Sequence, residues 1–159
     1  MSNFSLVVDT NIVIDWLDGE PLALDLFEQY RDRAISRITF AEVLVGYKDD
    51  ETREVVSELL KSCMEIVDTN EEDAIIAVKA RIDSNMGLLD AFIYATALSR
   101  GAIVVTRNPK DFVRKGLDKE HIFIPYHTMD LRLAASPFDD AEITIMQGNK
   151  VIEHDGPNL

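Results

Sequence analysis

The chain has 159 residues, 47% of them hydrophobic, and a formal net charge of −13 from 16 basic and 29 acidic side chains. That length suits one domain with one sizeable core, and that hydrophobic share excludes global disorder. The acidity argues against nonspecific nucleic-acid binding through a broad basic face, and a lone Cys63 excludes an intrachain disulfide or a cysteine metal cluster.

In chain order, strands and helices alternate. Phe4–Val8 reads as a short apolar strand and Ile12–Leu17 as a helix. Pro21 opens a second helix with Leu22, Leu24, Leu26, Phe27 and Tyr30 as its apolar positions. Arg33–Arg37 is a short strand and Thr39–Tyr47 a helix. Asp50–Met64 is an amphipathic helix with Val55, Val56, Leu59 and Leu60 on one stripe. Glu65–Val67 is a third strand, and Thr69–Ile82 a helix carrying Ala74, Ile75, Val78 and Ile82. Leu88–Arg100 is a helix that Gly101 stops; Leu88, Leu89, Ala91, Phe92, Ile93, Ala95, Ala97 and Leu98 are its candidate core positions. Ala102–Thr106 is a buried strand, Pro109–Lys115 a short helix and His121–Tyr126 a last strand.

After His127 the pattern changes. Leu131–Ala135 reads as a helical turn that Ser136-Pro137 breaks. Glu142–Met146 and Lys150–His154 then flank Gln147-Gly-Asn149, the pattern of a β-hairpin. The alternation implies an α/β layer fold with a mostly parallel sheet. No signal peptide or membrane span is visible, so a cytoplasmic location is expected.

In an open α/β sheet, ligands bind beyond the carboxyl ends of the strands, so acids just after strands or at helix starts are the informative ones. Asp9 follows the first strand in Val7-Val-Asp-Thr-Asn11, where it also suits a helix N-cap. Glu42 lies in Ile38-Thr-Phe-Ala-Glu-Val-Leu-Val45, where Thr39 and Glu42 have capping-box spacing but the surroundings are apolar. Asp90 stands in the apolar run GLLDAFIYATAL, residues 87–98. The helix dipole offsets only ~0.3–1 kcal/mol of a burial penalty of several. Each acid alone has a structural explanation. Together they point to one acidic pocket, whose mutual repulsion a hard divalent ion with oxygen ligands would relieve. His121, His127 and His154 lack ligand spacing. Thr106, Arg107 and Asn108 leave a buried strand at the same sheet edge as Asp9. Asn108 is there either a turn residue before Pro109 or a ligand contact, and Asp111 either a fourth acid or a helix-start residue.

These motifs, with Leu88-Leu-Asp-Ala-Phe-Ile-Tyr-Ala-Thr-Ala97 and Val104-Val-Thr-Arg-Asn-Pro-Lys-Asp-Phe112 following Asp9 and Glu42 in that order, resemble those of PIN-domain nucleases. The likeness is greatest to the VapC toxins of toxin–antitoxin pairs, and it runs over about residues 5–126. The resemblance implies a three-layer fold with a central, mostly parallel five-stranded sheet and helices on both faces. Residues 1–130 would form the nuclease domain and residues 131–159 an extension, with a hairpin, packed on it.

It also implies Mg²⁺-dependent cleavage of RNA, with Mn²⁺ as a substitute. By position, Asp9, Glu42, Asp90 and Asn108 match the catalytic set, with Asp9 and Asp90 as direct metal ligands. Thr10, Asn11 and Thr106 match polar positions lining the pocket, and Arg107 is a candidate phosphate contact. Many members carry an acid where this chain has Asn108, which weakens the case for a tight second metal. An antitoxin with a basic segment and a homodimer are the implied protein partners. The alternatives are a catalytically silent binding module of the same fold and a nuclease of RNA processing outside any toxin–antitoxin pair. A phosphatase of the haloacid dehalogenase type is set aside, because it needs an acid where Asn11 stands.

Overall fold

The computed structural model describes residues 4–127 and the strands Ile143–Gln147 and Lys150–His154. The predicted turn at Leu131–Ala135, the Gly148-Asn149 turn and the boundary near residue 130 lie outside the described residues.

The elements follow in the order β1 (Leu6–Val8), α1 (Thr10–Leu17), α2 (Pro21–Gln29), β2 (Arg33–Ser36), α3 (Arg37–Val45), α4 (Asp50–Cys63), β3 (Glu65–Val67), α5 (Glu71–Ser84), α6 (Leu88–Leu98), β4 (Ile103–Val105), α7 (Pro109–Phe112), a 3₁₀ turn (Lys119–His121), β5 (Ile122–Ile124), β6 (Ile143–Gln147) and β7 (Lys150–His154). The strands form one sheet in the order β3-β2-β1-β4-β5-β6-β7. The first five are parallel, as the βα alternation requires. β6 and β7 extend the β5 edge as an antiparallel hairpin, in the register Ile143↔His154 to Gln147↔Lys150.

The strand order positions the site. The chain builds outward from β1 to β2 and β3, then returns to place β4 on the other side of β1. The β1/β4 boundary is therefore the topological switch point, where the loops leaving the two strands diverge and open a crevice. Val8 pairs with Val105 at that edge, and the next residues are Asp9 and Thr106.

Side chains alternate across the sheet. Val7, Ala34, Val104 and Ile122 enter a core with α5 and α6. Leu6, Val8, Ile35, Val105 and Phe123 enter a second core with α1–α4. Helices thus cover both faces, which explains why the strands read as continuous apolar runs. Among the described residues, no helix is long and apolar enough to cross a membrane.

The readings of four helices need correction. α5 was expected to bury Ile75, Val78 and Ile82, yet they are 66%, 53% and 74% exposed. Its inner face is Asp73, Ala77 and Ala80. The two alanines let α5 lie close to α6. Asp73, fully buried, closes a capping box with Asn70 and takes Ser99 Oγ at 2.6 Å and Arg100 Nη1 at 2.7 Å. On α4 only Val56 and Leu60 of the predicted stripe are buried, and on α6 Leu88 and Leu89 are half exposed. α3 begins at Arg37, not at Thr39. Ser36 caps it by accepting the Thr39 N–H at 3.0 Å, so Thr39 and Glu42 form no capping box.

Candidate active site

Asp9 is the first residue past β1, and its N–H continues the β1–β4 ladder to Val105 O at 2.9 Å. Its carboxylate does cap α1, as its residue type allows: Oδ1 accepts the Thr10 N–H at 2.8 Å. Oδ2 accepts two further bonds, from Asn11 Nδ2 and Thr106 Oγ1, each at 2.8 Å. The side chain is 5% exposed. Burial raises its pKa to about 6; the bonds from Thr106 and Thr10 work against that rise, and Asp90 and Glu42 add to it. The capping and functional explanations of Asp9 therefore hold together, on different oxygens.

Glu42 reaches the same edge from α3. Its Oε2 accepts Thr10 Oγ1 at 2.5 Å, and Thr10 Oγ1 also lies 3.4 Å from Thr39 Oγ1. Ser36 Oγ donates to Thr39 Oγ1 at 3.2 Å. A row of hydroxyls from the end of β2 to the start of α1 thus orders the Glu42 carboxylate.

Asp90 is the third residue of α6, half-buried. Burial raises its pKa to about 6, with Asp111 and then Glu42 adding to the shift and Arg114 opposing it. Among the described residues its carboxylate accepts no hydrogen bond. The ion pairs of the described residues are carried by other acids, namely Asp15, Asp50, Glu58, Asp68, Asp73 and Asp118. Asp9, Glu42 and Asp90 thus share one field with no lysine or arginine paired to them among those bridges.

Asn108 opens α7 ahead of Pro109, as its turn explanation expects, but its side chain also has a task. Nδ2 donates to Asp111 Oδ2 at 2.5 Å, and its N–H donates to Thr106 Oγ1 at 3.1 Å. Asp111 is the charged neighbour that acts most strongly on Asp90, so it joins the acidic group. Thr10, Asn11 and Thr106 all bond to Asp9 or Glu42, and Asn11 Oδ1 also accepts the Arg107 N–H at 3.4 Å.

The Arg107 side chain goes elsewhere. Nε and Nη2 fork onto Asp15 at 2.6 and 3.2 Å, and Tyr126 Oη donates to Asp15 Oδ2 at 3.2 Å. Sequence reasoning passed over Asp15, although it stands among apolar residues of α1 just as Asp90 does in α6. That shared signal could have found it.

The donor set suits a hard divalent cation in kind: oxygen ligands only, two carboxyls whose ionisation is opposed by burial, and no basic group paired with either. Among the described residues no group of three or more His, Cys, Asp or Glu is arranged to hold a metal ion.

Thr106 is the residue through which β4 acts on Asp9, and it is fully buried. Thr106→Val keeps the shape and removes the hydroxyl. The expected result is Mn²⁺ affinity weakened roughly 10–100-fold at neutral pH, the usual effect of removing a group that orients a ligand. Isothermal titration of Mn²⁺ checks it, with circular dichroism to confirm the fold.

Comparison with known proteins fits this geometry. The PIN domain family matches residues 6–117. A chain of the toxin–antitoxin complex from Klebsiella pneumoniae is 34% identical, with 77% of this chain and 99% of that chain covered at a TM-score of 0.68. A chain of DNA-bound VapBC from Salmonella typhimurium is 26% identical, covering 71% and 93% at a TM-score of 0.63. A chain of VapBC-1 from nontypeable Haemophilus influenzae is 25% identical, covering 67% and 88% at a TM-score of 0.57. No curated protein matches the chain.

Proposed function

The chain is a VapC-like member of the PIN domain family, and from that premise we propose that it is the nuclease toxin of a toxin–antitoxin pair, cleaving RNA phosphodiesters with the help of Mg²⁺. The observation that carries this reading is the meeting of Asp9, Glu42 and Asp90, from β1, α3 and α6, at the switch point of the sheet. Glu42 adds to the raised pKa of both aspartates and Asp90 to that of Asp9, and none of the three is a member of the ion pairs among the described residues. A structural role alone does not call for that arrangement, which costs stability at neutral pH.

Asp9 and Asp90 are the residues that would hold the cation, with Glu42 and Asp111 beside them. When bound, it would supply Lewis-acid stabilisation of phosphoryl charge and a nucleophilic water near neutral pH. The chain's own residues do the rest. Thr106, Asn11 and the Thr10 N–H fix Asp9 so that its carboxylate does not rotate. Glu42, oriented by Thr10, takes the proton of the attacking water. Displacement of the 3′ oxygen from phosphorus leaves a 5′-phosphate and a 3′-hydroxyl. Asn108 acts through Asp111, which its amide holds. Arg107 supports the fold of this edge through Asp15, and phosphate recognition falls to other groups.

An antitoxin is the proposed protein partner, on the strength of the toxin–antitoxin neighbours. A basic segment laid across the acids would suit both the pocket and the net charge of −13. A homodimer completes the proposed assembly.

Total cellular RNA incubated with the purified chain tests the reading. Cleavage is expected with Mg²⁺ or Mn²⁺ and none with EDTA, with the new ends mapping as 5′-phosphate and 3′-hydroxyl. Cleavage that persists in EDTA contradicts the metal. A well-folded chain that neither cleaves nor binds Mn²⁺ contradicts the nuclease and favours a binding module.

A further inference from the structure

The backbone at Gly87 does not call for glycine. Gly87 caps α6 at φ −59° and ψ 147°, a conformation open to every residue. Space is what calls for it. A Cβ on Gly87 would lie 2.7 Å from Asp90 Oδ2 and 3.6 Å from Asp90 Cγ, and the first distance is shorter than such contacts permit. The Asp90 carboxylate makes no hydrogen bond among the described residues, so nothing else there fixes its orientation against a push from that side.

We propose that Gly87 is a positioning residue for Asp90: the room left by its missing side chain is where the Asp90 carboxylate rests, over the first turn of α6. This rests on the reading of Asp90 as a cation ligand. It deepens that reading by naming what sets the carboxylate's direction. Any larger residue at this position turns the carboxylate away from the place it shares with Asp9 and Glu42.

The two effects of Gly87→Ala run in opposite directions, which makes the proposal separable from a structural role. Alanine at a position whose φ and ψ it adopts freely stabilises a fold by narrowing the unfolded ensemble. Displacing a group that orients a ligand weakens metal affinity, typically ~10–100-fold. Mn²⁺ calorimetry and thermal melts in EDTA, on the full chain as wild type, Gly87→Ala, Asp90→Asn and the double variant, read both. The expected result is Mn²⁺ binding weakened ~10-fold or more in Gly87→Ala, with a melting temperature at or above that of wild type. The double variant should bind no more weakly than Asp90→Asn alone, because the two changes act through one carboxylate. Unchanged Mn²⁺ affinity in Gly87→Ala, beside a loss in Asp90→Asn, overturns the positioning role and leaves the site standing. An equal weakening by Gly87→Ala in the Asp90→Asn background also overturns it. Undiminished binding in Asp90→Asn overturns instead the reading of Asp90 on which the proposal rests.

Discussion

Asp90→Asn is expected to abolish nuclease activity while making the metal-free protein more stable. Loss of the cation ligand proposed at Asp90 removes several kcal/mol of transition-state stabilisation, so the rate should fall roughly 10³-fold or more. The gain in stability follows from linkage. Burial first, then Asp111 and Glu42, raise the folded pKa to about 6 from 3.8. An acid whose folded pKa lies above its unfolded value loses stability as pH rises between the two. At pH 7.5 the wild type carries that whole penalty, and asparagine carries none of it. Full conversion of the shift gives ~3 kcal/mol, and solvent screening of a half-buried group reduces it to about 1–2. For a domain of this size that is an increase in melting temperature of roughly 2–6 °C. The increase should shrink toward zero as pH falls to about 4. Paired melts in EDTA at the two ends of that pH range check it; a destabilised Asp90→Asn would show that the carboxylate serves the fold.

The opposite result is expected at Asp73. This acid is fully buried, accepts from Arg100 and Ser99 and from the Asn70 N–H, and joins α5 to the end of α6. Burial raises its pKa, but the bonds from Arg100, Ser99 and Asn70 together bring it below the ordinary value. Asp73→Ala removes the buried carboxylate on which Arg100, Ser99 and the Asn70 N–H converge, a loss of about 3–5 kcal/mol. The melting temperature should fall by roughly 6–15 °C. The sign with pH is also reversed. A depressed acid contributes stability that is present above its unfolded pKa and lost as pH falls through its folded one. The difference between wild type and Asp73→Ala should therefore be full at pH 7 and narrow below about pH 4. Cleavage by the folded fraction should be within a few-fold of wild type, since Asp73 makes none of its bonds to the acidic pocket. Urea titrations at the two pH values, with single-turnover cleavage at low temperature, test both halves.

These two acids show what the sequence discloses. The parallel sheet was legible from Val7–Val8 and Val104–Val105, because buried parallel strands are apolar on both faces, but the direct pairing of β1 with β4 was not. Asp9 was legible because it follows a strand directly, and Asp90 because it interrupts an apolar run. The same signal belongs to Asp15, which Arg107 and Tyr126 occupy. An acid among apolar residues thus marks a demand for a partner without saying whether a cation or an arginine meets it. That choice depends on contacts between residues 92 positions apart in the chain, which spacing does not reveal. α5 was misjudged for a related reason. Ile75, Val78 and Ile82 form a helical stripe in sequence, but two alanines and one well-bonded carboxylate decide which side faces α6. The contact of the Asn108 amide with Asp111 was likewise not legible in sequence, where a turn residue and a ligand contact look alike.

The most direct test of the proposed metal centre is a calorimetric titration of Mn²⁺ into the purified wild-type chain, Asp9→Asn and Asp90→Asn. Saturable binding by wild type, weakened in each variant that still melts cooperatively, is the expected result. Equal binding by all three, or none by a well-folded wild type, would contradict the claim that these carboxylates are there to hold a cation.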